Sequence, residues 1–195
     1  ALDRTPEPVL KVWLDERRTG PRPEAVLRAA RAAGVRLERV ARATLEQMAG
    51  EVNHQGVAAR CRISDRTQDT DLPEFLAGLN QPALLLVLDG VQDPHNLGAC
   101  LRSADAAGVH AVILPRDNAV AITPVVRKVA CGAAETIPVF QVTNLARTLD
   151  QLKEAGIWLA GAVGEAQDSL YQADLRGPLA LVMGAEGKGL RRLTR

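Results

Sequence analysis

Between residues 84 and 183, short apolar runs alternate with segments of helical pattern, and this alternation constrains the fold more than any other feature. The runs occupy 84–88 (LLLVL), 111–114, 139–142, 157–160 and 179–183 (LALVM). Apart from Gln141 they are short and apolar on consecutive positions, as expected of strands covered on both faces. Helical patterns fill 96–107, 124–130 and 144–155, the last stopped by Gly156. Strand and helix in this order predict an α/β domain, a parallel sheet with helices on both faces. Such sheets bind ligands beyond the carboxyl ends of their strands. The loops after Leu88, Val142, Ala160 and Met183 are therefore where chemistry is expected.

The first 63 residues read as a smaller α/β module. Strands are expected at 9–14, 35–40 and 57–63, and a helix at 23–33 ends at Gly34. Thr44, with Gln47 three residues on, has the spacing of a capping box and is expected to open a second helix. The polar stretch SDRTQDT, 64–70, is the linker candidate. A short helix at 71–79, with Pro73 in its first turn, opens the larger domain, 71–195.

Charge separates the two parts weakly. Residues 1–70 hold 13 Lys+Arg against 10 Asp+Glu, a net of +3; residues 71–195 hold 11 against 13, a net of −2. Most of the early cations are arginines, which suit bidentate phosphate contacts. No apolar run reaches the roughly 20 residues that span a bilayer, so no membrane partner is expected. The opening ALDRTPEPVL lacks the basic-then-apolar order of a signal peptide. Cys61, Cys100 and Cys131 show no C-x-x-C spacing, and His54, His95 and His110 share no metal spacing. Reduced cysteines, no disulfide framework and no metal site are expected.

Two loops carry the chemistry-bearing residues. The first is DPHNLGACLR, Asp93 to Arg102. Asn96 is placed to cap the helix that follows, and Leu97, Leu101 and Ala104 form its buried stripe. Gly98 and Ala99 are small residues within a turn of Arg102, leaving room for its guanidinium to reach back over the helix N-terminus. A helix N-terminus with an arginine is an anion site. The bland alternative pairs Arg102 with Asp105 or Asp89 and leaves Asn96 as a cap only. The second loop is GAEGKGLRR, Gly184 to Arg192. Its glycines allow close backbone approach to a ligand, or else form only a flexible turn. It matches neither a dinucleotide fingerprint nor a P-loop. Glu135, in CGAAETIPV, reads as a surface or capping residue.

DPHNLGACLRSADAAGV and VMGAEGKGL, in that order, resemble the first and second signatures of the SpoU, or TrmH-type, RNA 2′-O-ribose methyltransferases. VTNLA and CGAAETIPV match in order and spacing, and residues 71–195 carry the resemblance. Residues 1–63, including NHQGVAAR, are similar to the ribosomal-protein L30e-like RNA-binding domain of a subset of that family. The resemblance implies a trefoil-knotted methyltransferase domain, S-adenosyl-L-methionine as methyl donor, a homodimer, and a cytoplasmic enzyme acting on ribosomal RNA. The two-domain layout implies 2′-O-methylation of a guanosine ribose in the large subunit.

Carried over, Arg102, Asn96 and Glu186 are the catalytic residues, with Arg102 beside the target ribose. Gly184 and Gly187 wrap the cofactor, and Thr143, Asn144 and Leu145 line the same pocket. A sulfonium leaves as a neutral group and needs no metal. A guanidinium has a pKa above about 12 and makes a poor base. Arg102 is therefore expected to hold the adjacent phosphate and orient the hydroxyl, with that phosphate helping to take the proton.

The family's third motif, an Asn-containing Ser-Leu-Asn-Val-Ser segment that completes the knot, is expected after Arg195, and the first strand of the L30e-like module before Ala1. A chain stopping at Arg195 is expected to bind cofactor weakly or not at all. Two alternatives stay open: a tRNA ribose methyltransferase of the same family, and an RNA-binding or ribosome-assembly factor without catalysis.

Overall fold

The structure is a computed structural model and describes residues 9–50, 53–61, 71–166, 169–192 and 194. The chain forms two compact units, Ala1–Ser64 and Asp65–Arg195. The linker expected at 64–70 lies outside the described residues, as do the last two residues of the strand expected at 57–63.

In the first unit the elements are β1 (Val9–Asp15), α1 (Pro21–Ala32), β2 (Arg36–Val40), α2 (Arg42–Ala49) and β3 (Val57–Cys61). β1 is central, parallel to β2 and antiparallel to β3. Val12, Leu14, Ala30 and Leu45 make its core. α1 starts two residues earlier than the sequence suggests, because Pro21 fits the first turn, where no backbone N–H is needed. Thr44 is not a cap: α2 starts at Arg42 behind Ala41, which puts Thr44 inside the helix. Two cations approach the Trp13 ring, with Lys11 Nζ at 4.8 Å and Arg60 Cζ at 5.4 Å from its centre.

The second unit contains α3 (Leu72–Ala77), β4 (Leu84–Asp89), α4 (Pro94–Ala106), β5 (Ala111–Pro115), α5 (Pro124–Val129), a 3-10 turn (Ala133–Glu135), β6 (Val139–Val142), α6 (Leu145–Glu154), β7 (Trp158–Ala162) and β8 (Leu179–Gly184). The sheet order is β6-β5-β4-β8-β7 and every pairing is parallel. The alternating pattern is thus a parallel α/β sheet. Successive side chains of a strand point to opposite faces, and β4 shows the consequence. Leu85 and Val87 pack with Leu145, Leu149 and Leu152 of α6 and Leu72 of α3. Leu86 and Leu88 pack with Leu97 and Leu101 of α4 and Val126 of α5. Fully burying one such side chain stabilises by about 1.5–3 kcal/mol.

β4 and β8 sit side by side, with Asp89 opposite Gly184 in register. The loops that follow the two strands therefore leave the sheet together. Sequence separation hides this adjacency.

Candidate functional site

The loop after β4 is short and tightly held. Gly90 takes a positive φ of 85° as the chain leaves the sheet. Asp93 then caps α4, its Oδ1 accepting from the His95 N–H at 2.9 Å, and Pro94 follows at the first helical position. This corrects the expectation for Asn96. It lies in the first turn and is not the cap. Its side chain is free to leave the helix, and Nδ2 donates to Glu186 Oε2 at 2.9 Å.

Gly98 also differs from expectation. It is buried, and a Cβ there would lie 2.6 Å from Val129 Cβ and 3.0 Å from the Val126 carbonyl oxygen. Its small size lets α5 cross α4 closely and does not serve Arg102. Arg102 is exposed on α4. Both carboxylates considered for it have other partners. Asp89 pairs with Arg191, and Asp105 accepts from Thr136 Oγ1 at 2.8 Å.

The loop after β8 folds back as a small hairpin. Gly189 N donates to the Ala185 carbonyl at 2.8 Å, and Ala185 N to the Gly189 carbonyl at 3.2 Å. A Cβ on Gly184 would lie 2.0 Å from the Gly189 carbonyl carbon, so glycine here lets the loop close on itself. Gly187 and Gly189 take positive φ of 73° and 62° in open space. Behind the hairpin, Arg191 returns to β4. Its N–H donates to Asp89 Oδ2 at 3.0 Å and its Nε to Oδ1 at 2.5 Å. Asp89 is fully buried. Sequence reasoning considered Asp89 only as a partner for Arg102 and missed this clamp. The available signal was a carboxylate closing an otherwise apolar strand.

Two clefts flank the β8 loop. One, of about 730 Å³, lies between the two loops and includes Asp89, Asn96, Ala99, Gly184, Glu186 and Lys188 in its lining. The other, of about 600 Å³, lies beside α6 and includes Leu149, Leu159, Val182 and Leu190 together with Asp150 and Lys153. Thr143, Asn144 and Leu145 join β6 to α6. Asn144 caps α6, its Oδ1 accepting from the Arg147 N–H at 3.1 Å, and Leu145 is buried in the core. The structure thus brings Asn96, Glu186 and Gly184 to one cleft. The 143–145 segment stands at the head of the helix that walls the other. Burial pushes the Cys100 thiol, at the first cleft, above its ordinary value.

The other sequence candidates have structural duties. Glu135 pairs with Arg127 and ties the 3-10 turn to α5. His54 and His110 each spend Nδ1 on a backbone N–H, of Gly56 and Leu84 respectively.

Comparison with known proteins identifies the family. Residues 83–195 match the model of the SpoU rRNA Methylase family, and residues 1–66 match the model for RNA 2′-O ribose methyltransferase substrate binding. A relative from Shewanella oneidensis, named 23S rRNA (guanosine-2′-O-)-methyltransferase RlmB, is 54% identical over 194 residues, covering 100% of this chain and 78% of its own. The protein of that name from Escherichia coli K12 is 50% identical over 194 residues, covering 100% of this chain and 79% of its own. A crystal structure described as an RNA 2′-O ribose methyltransferase superposes with a TM-score of 0.75 at 29% identity, over 95% of this chain and 67% of its own. The SpoU methyltransferase AviRb from Streptomyces viridochromogenes, crystallised with AdoMet, shares the fold with a TM-score of 0.73 at 23% identity, over 95% of this chain and 69% of its own. With the family model matched over most of the chain and relatives at half identity or better over its full length, the chain belongs to the SpoU rRNA methylase family.

Proposed function

We infer that this chain transfers a methyl group from S-adenosyl-L-methionine to the 2′-hydroxyl of a guanosine ribose in 23S ribosomal RNA. The observation that carries the reading is the Asn96–Glu186 hydrogen bond, which joins the two signature loops in one cleft at the carboxyl end of the parallel sheet. Relatives of the same name at 50–54% identity support the substrate.

The residues fit the cofactor in two ways. Both clefts fall within the range of about 300–1,000 Å³ typical of small-ligand sites. The cleft beside α6, with Leu149, Leu159, Val182 and Leu190 in its lining, suits an adenosyl group, and the Glu186 carboxylate suits a sulfonium cation. Gly184 and Gly187, with Thr143, Asn144 and Leu145 at the head of α6, would hold it. When bound, the cofactor supplies an electrophilic methyl group.

The chain's own residues do the rest. Asn96 fixes the direction of the Glu186 carboxylate. Arg102, exposed two turns into α4, holds the phosphate next to the target ribose through its planar pair of N–H donors. That grip orients the 2′-hydroxyl in line for attack, and such alignment lowers the barrier by sparing the entropy of bringing the reacting atoms together. The held phosphate helps take the hydroxyl proton.

The same reading extends to the parts around the site. The methyltransferase unit is a trefoil-knotted domain. The N-terminal unit, 1–63, is an L30e-like RNA-binding module joined by a linker at 64–70. The β1-α1-β2-α2-β3 order and the substrate-binding match over 1–66 support that module. The enzyme works as a homodimer in the cytoplasm, where its ribosomal RNA substrate lies.

The test incubates the protein with methyl-labelled S-adenosyl-L-methionine and, separately, naked large-subunit ribosomal RNA and tRNA. Alkali-resistant dinucleotides are then mapped. One labelled guanosine in the ribosomal RNA is the expected result. Label in tRNA alone moves the enzyme to another branch of the family. RNA binding without label in either supports a factor without catalysis.

A further inference from the structure

Asp89 is a fully buried carboxylate that touches no solvent. It ends β4, opposite Gly184 of β8 in register. Both of its oxygens are occupied by one residue of the neighbouring loop, Oδ2 by the Arg191 N–H and Oδ1 by Arg191 Nε. The segment 184–191 is therefore tied at its base by strand pairing and at its far end by Asp89. Between those ties it closes through the Ala185–Gly189 hydrogen bonds and reaches Asn96 through Glu186. A buried charge with one partner is an expensive feature. Removing one member leaves the other unpaired, so an apolar pair would serve simple stability at least as well.

We propose that Asp89 is a positioning residue that acts through Arg191 to hold the β8 loop, and with it Glu186, in the geometry that meets Asn96. The clamp works on both clefts at once. Leu190, adjacent to Arg191, walls the cleft beside α6, and Glu186 lines the one between the two loops. Cutting the clamp loosens the wall the two clefts share. The loop no longer presents a fixed Glu186. The consequence for methyl transfer rests on the function proposed above; the coupling from Asp89 to Asn96 does not.

The experiment compares Asp89→Asn and Arg191→Gln with the parent protein. Asp89→Asn keeps the shape and removes the charge. Arg191→Gln cuts the same clamp from its half-exposed side and keeps the backbone N–H of residue 191 on Asp89, which gives a second variant where the buried substitution does not fold. The first readout is hydrogen exchange of the Ala185 and Gly189 amides and of the Asn96 side-chain amide. Exchange at least 10-fold faster at these groups, with the Leu85–Val87 amides of β4 unchanged, is expected in either variant that folds. The second readout is methyl transfer to ribosomal RNA, with kcat falling about 10²-fold and KM for RNA within twofold. Parental exchange at the loop and at Asn96 in Arg191→Gln overturns the proposal. So does a lowered melting temperature with uniformly faster exchange across the sheet, which marks a purely structural pair. Faster loop exchange without methyl transfer by the parent on any RNA keeps the clamp and overturns the function.

Discussion

Asn96 and Glu186 are 90 residues apart in the chain, yet Nδ2 of one donates to Oε2 of the other at 2.9 Å. The bond exists because β4 and β8 are neighbours and both chains leave the sheet on the same side. Asn96→Ala leaves Glu186 without that donor. The pair is exposed, so the change in unfolding free energy is expected to stay within about 1 kcal/mol. Single-turnover methyl transfer is expected to fall about 10–100-fold, since a small misplacement at the site costs that much. Activity at the parental rate would remove Asn96 from the site.

Arg102 separates charge from geometry. Arg102→Ala removes both and is expected to lower kcat/KM by about 10²-fold or more, as losing a contact that positions the substrate does. Arg102→Lys keeps the charge and loses the planar fork. Its activity is expected near that of the alanine variant. Full activity in the lysine variant, measured at two salt concentrations, would show that charge alone suffices.

Gly98 gives a stability prediction of definite sign. Alanine is the better helix former by about 1 kcal/mol. At this position, however, its Cβ would lie 2.6 Å from Val129 Cβ and 3.0 Å from a backbone oxygen. Overpacking of this kind costs about 1–3 kcal/mol or more, so Gly98→Ala is expected to lower the urea midpoint. Adding Val129→Gly removes both side-chain contacts, Cβ at 2.6 Å and Cγ1 at 2.8 Å, and the double variant is expected to show less overpacking at α4–α5 than Gly98→Ala alone, whereas Val129→Ala keeps the Cβ and is expected to recover little.

Cys100 is expected to resist alkylation relative to Cys61 and Cys131, which are exposed. Burial disfavours its thiolate and raises its pKa, and the thiolate is the nucleophile. Its iodoacetamide rate should therefore climb at higher pH than that of a free thiol. The raised value also fixes a stability trend. As pH rises past the ordinary thiol value of about 8.5, the unfolded chain loses this proton first. The contribution of Cys100 to stability falls from there upward. Alkylation of the three cysteines at equal rates, read by mass spectrometry across pH 7–10, would contradict the burial effect.

Much of the fold is legible locally. The apolar runs at 84–88 and 179–183 became β4 and β8, each one residue longer than its run. Strand and helix periods are properties of neighbouring residues, so single segments reveal them. The same holds for Asn144, whose capping bond spans three residues. Where two local solutions compete, the sequence misleads. Thr44 has the spacing of a capping box, but α2 starts two residues before it. Asn96 has the chemistry of a cap, but Asp93 followed by Pro94 takes that place and releases it.

The sequence alone determined the parallel α/β class, the loops at the strands' carboxyl ends and the two signatures they carry. Tertiary structure alone decided what those residues touch. Gly98 is small for α5, Gly184 is small for Gly189, and Asp89 holds Arg191 across 102 residues of chain. No local pattern encodes such contacts. They depend on which strands become neighbours, and the order β6-β5-β4-β8-β7 is set by how the whole sheet buries its two faces.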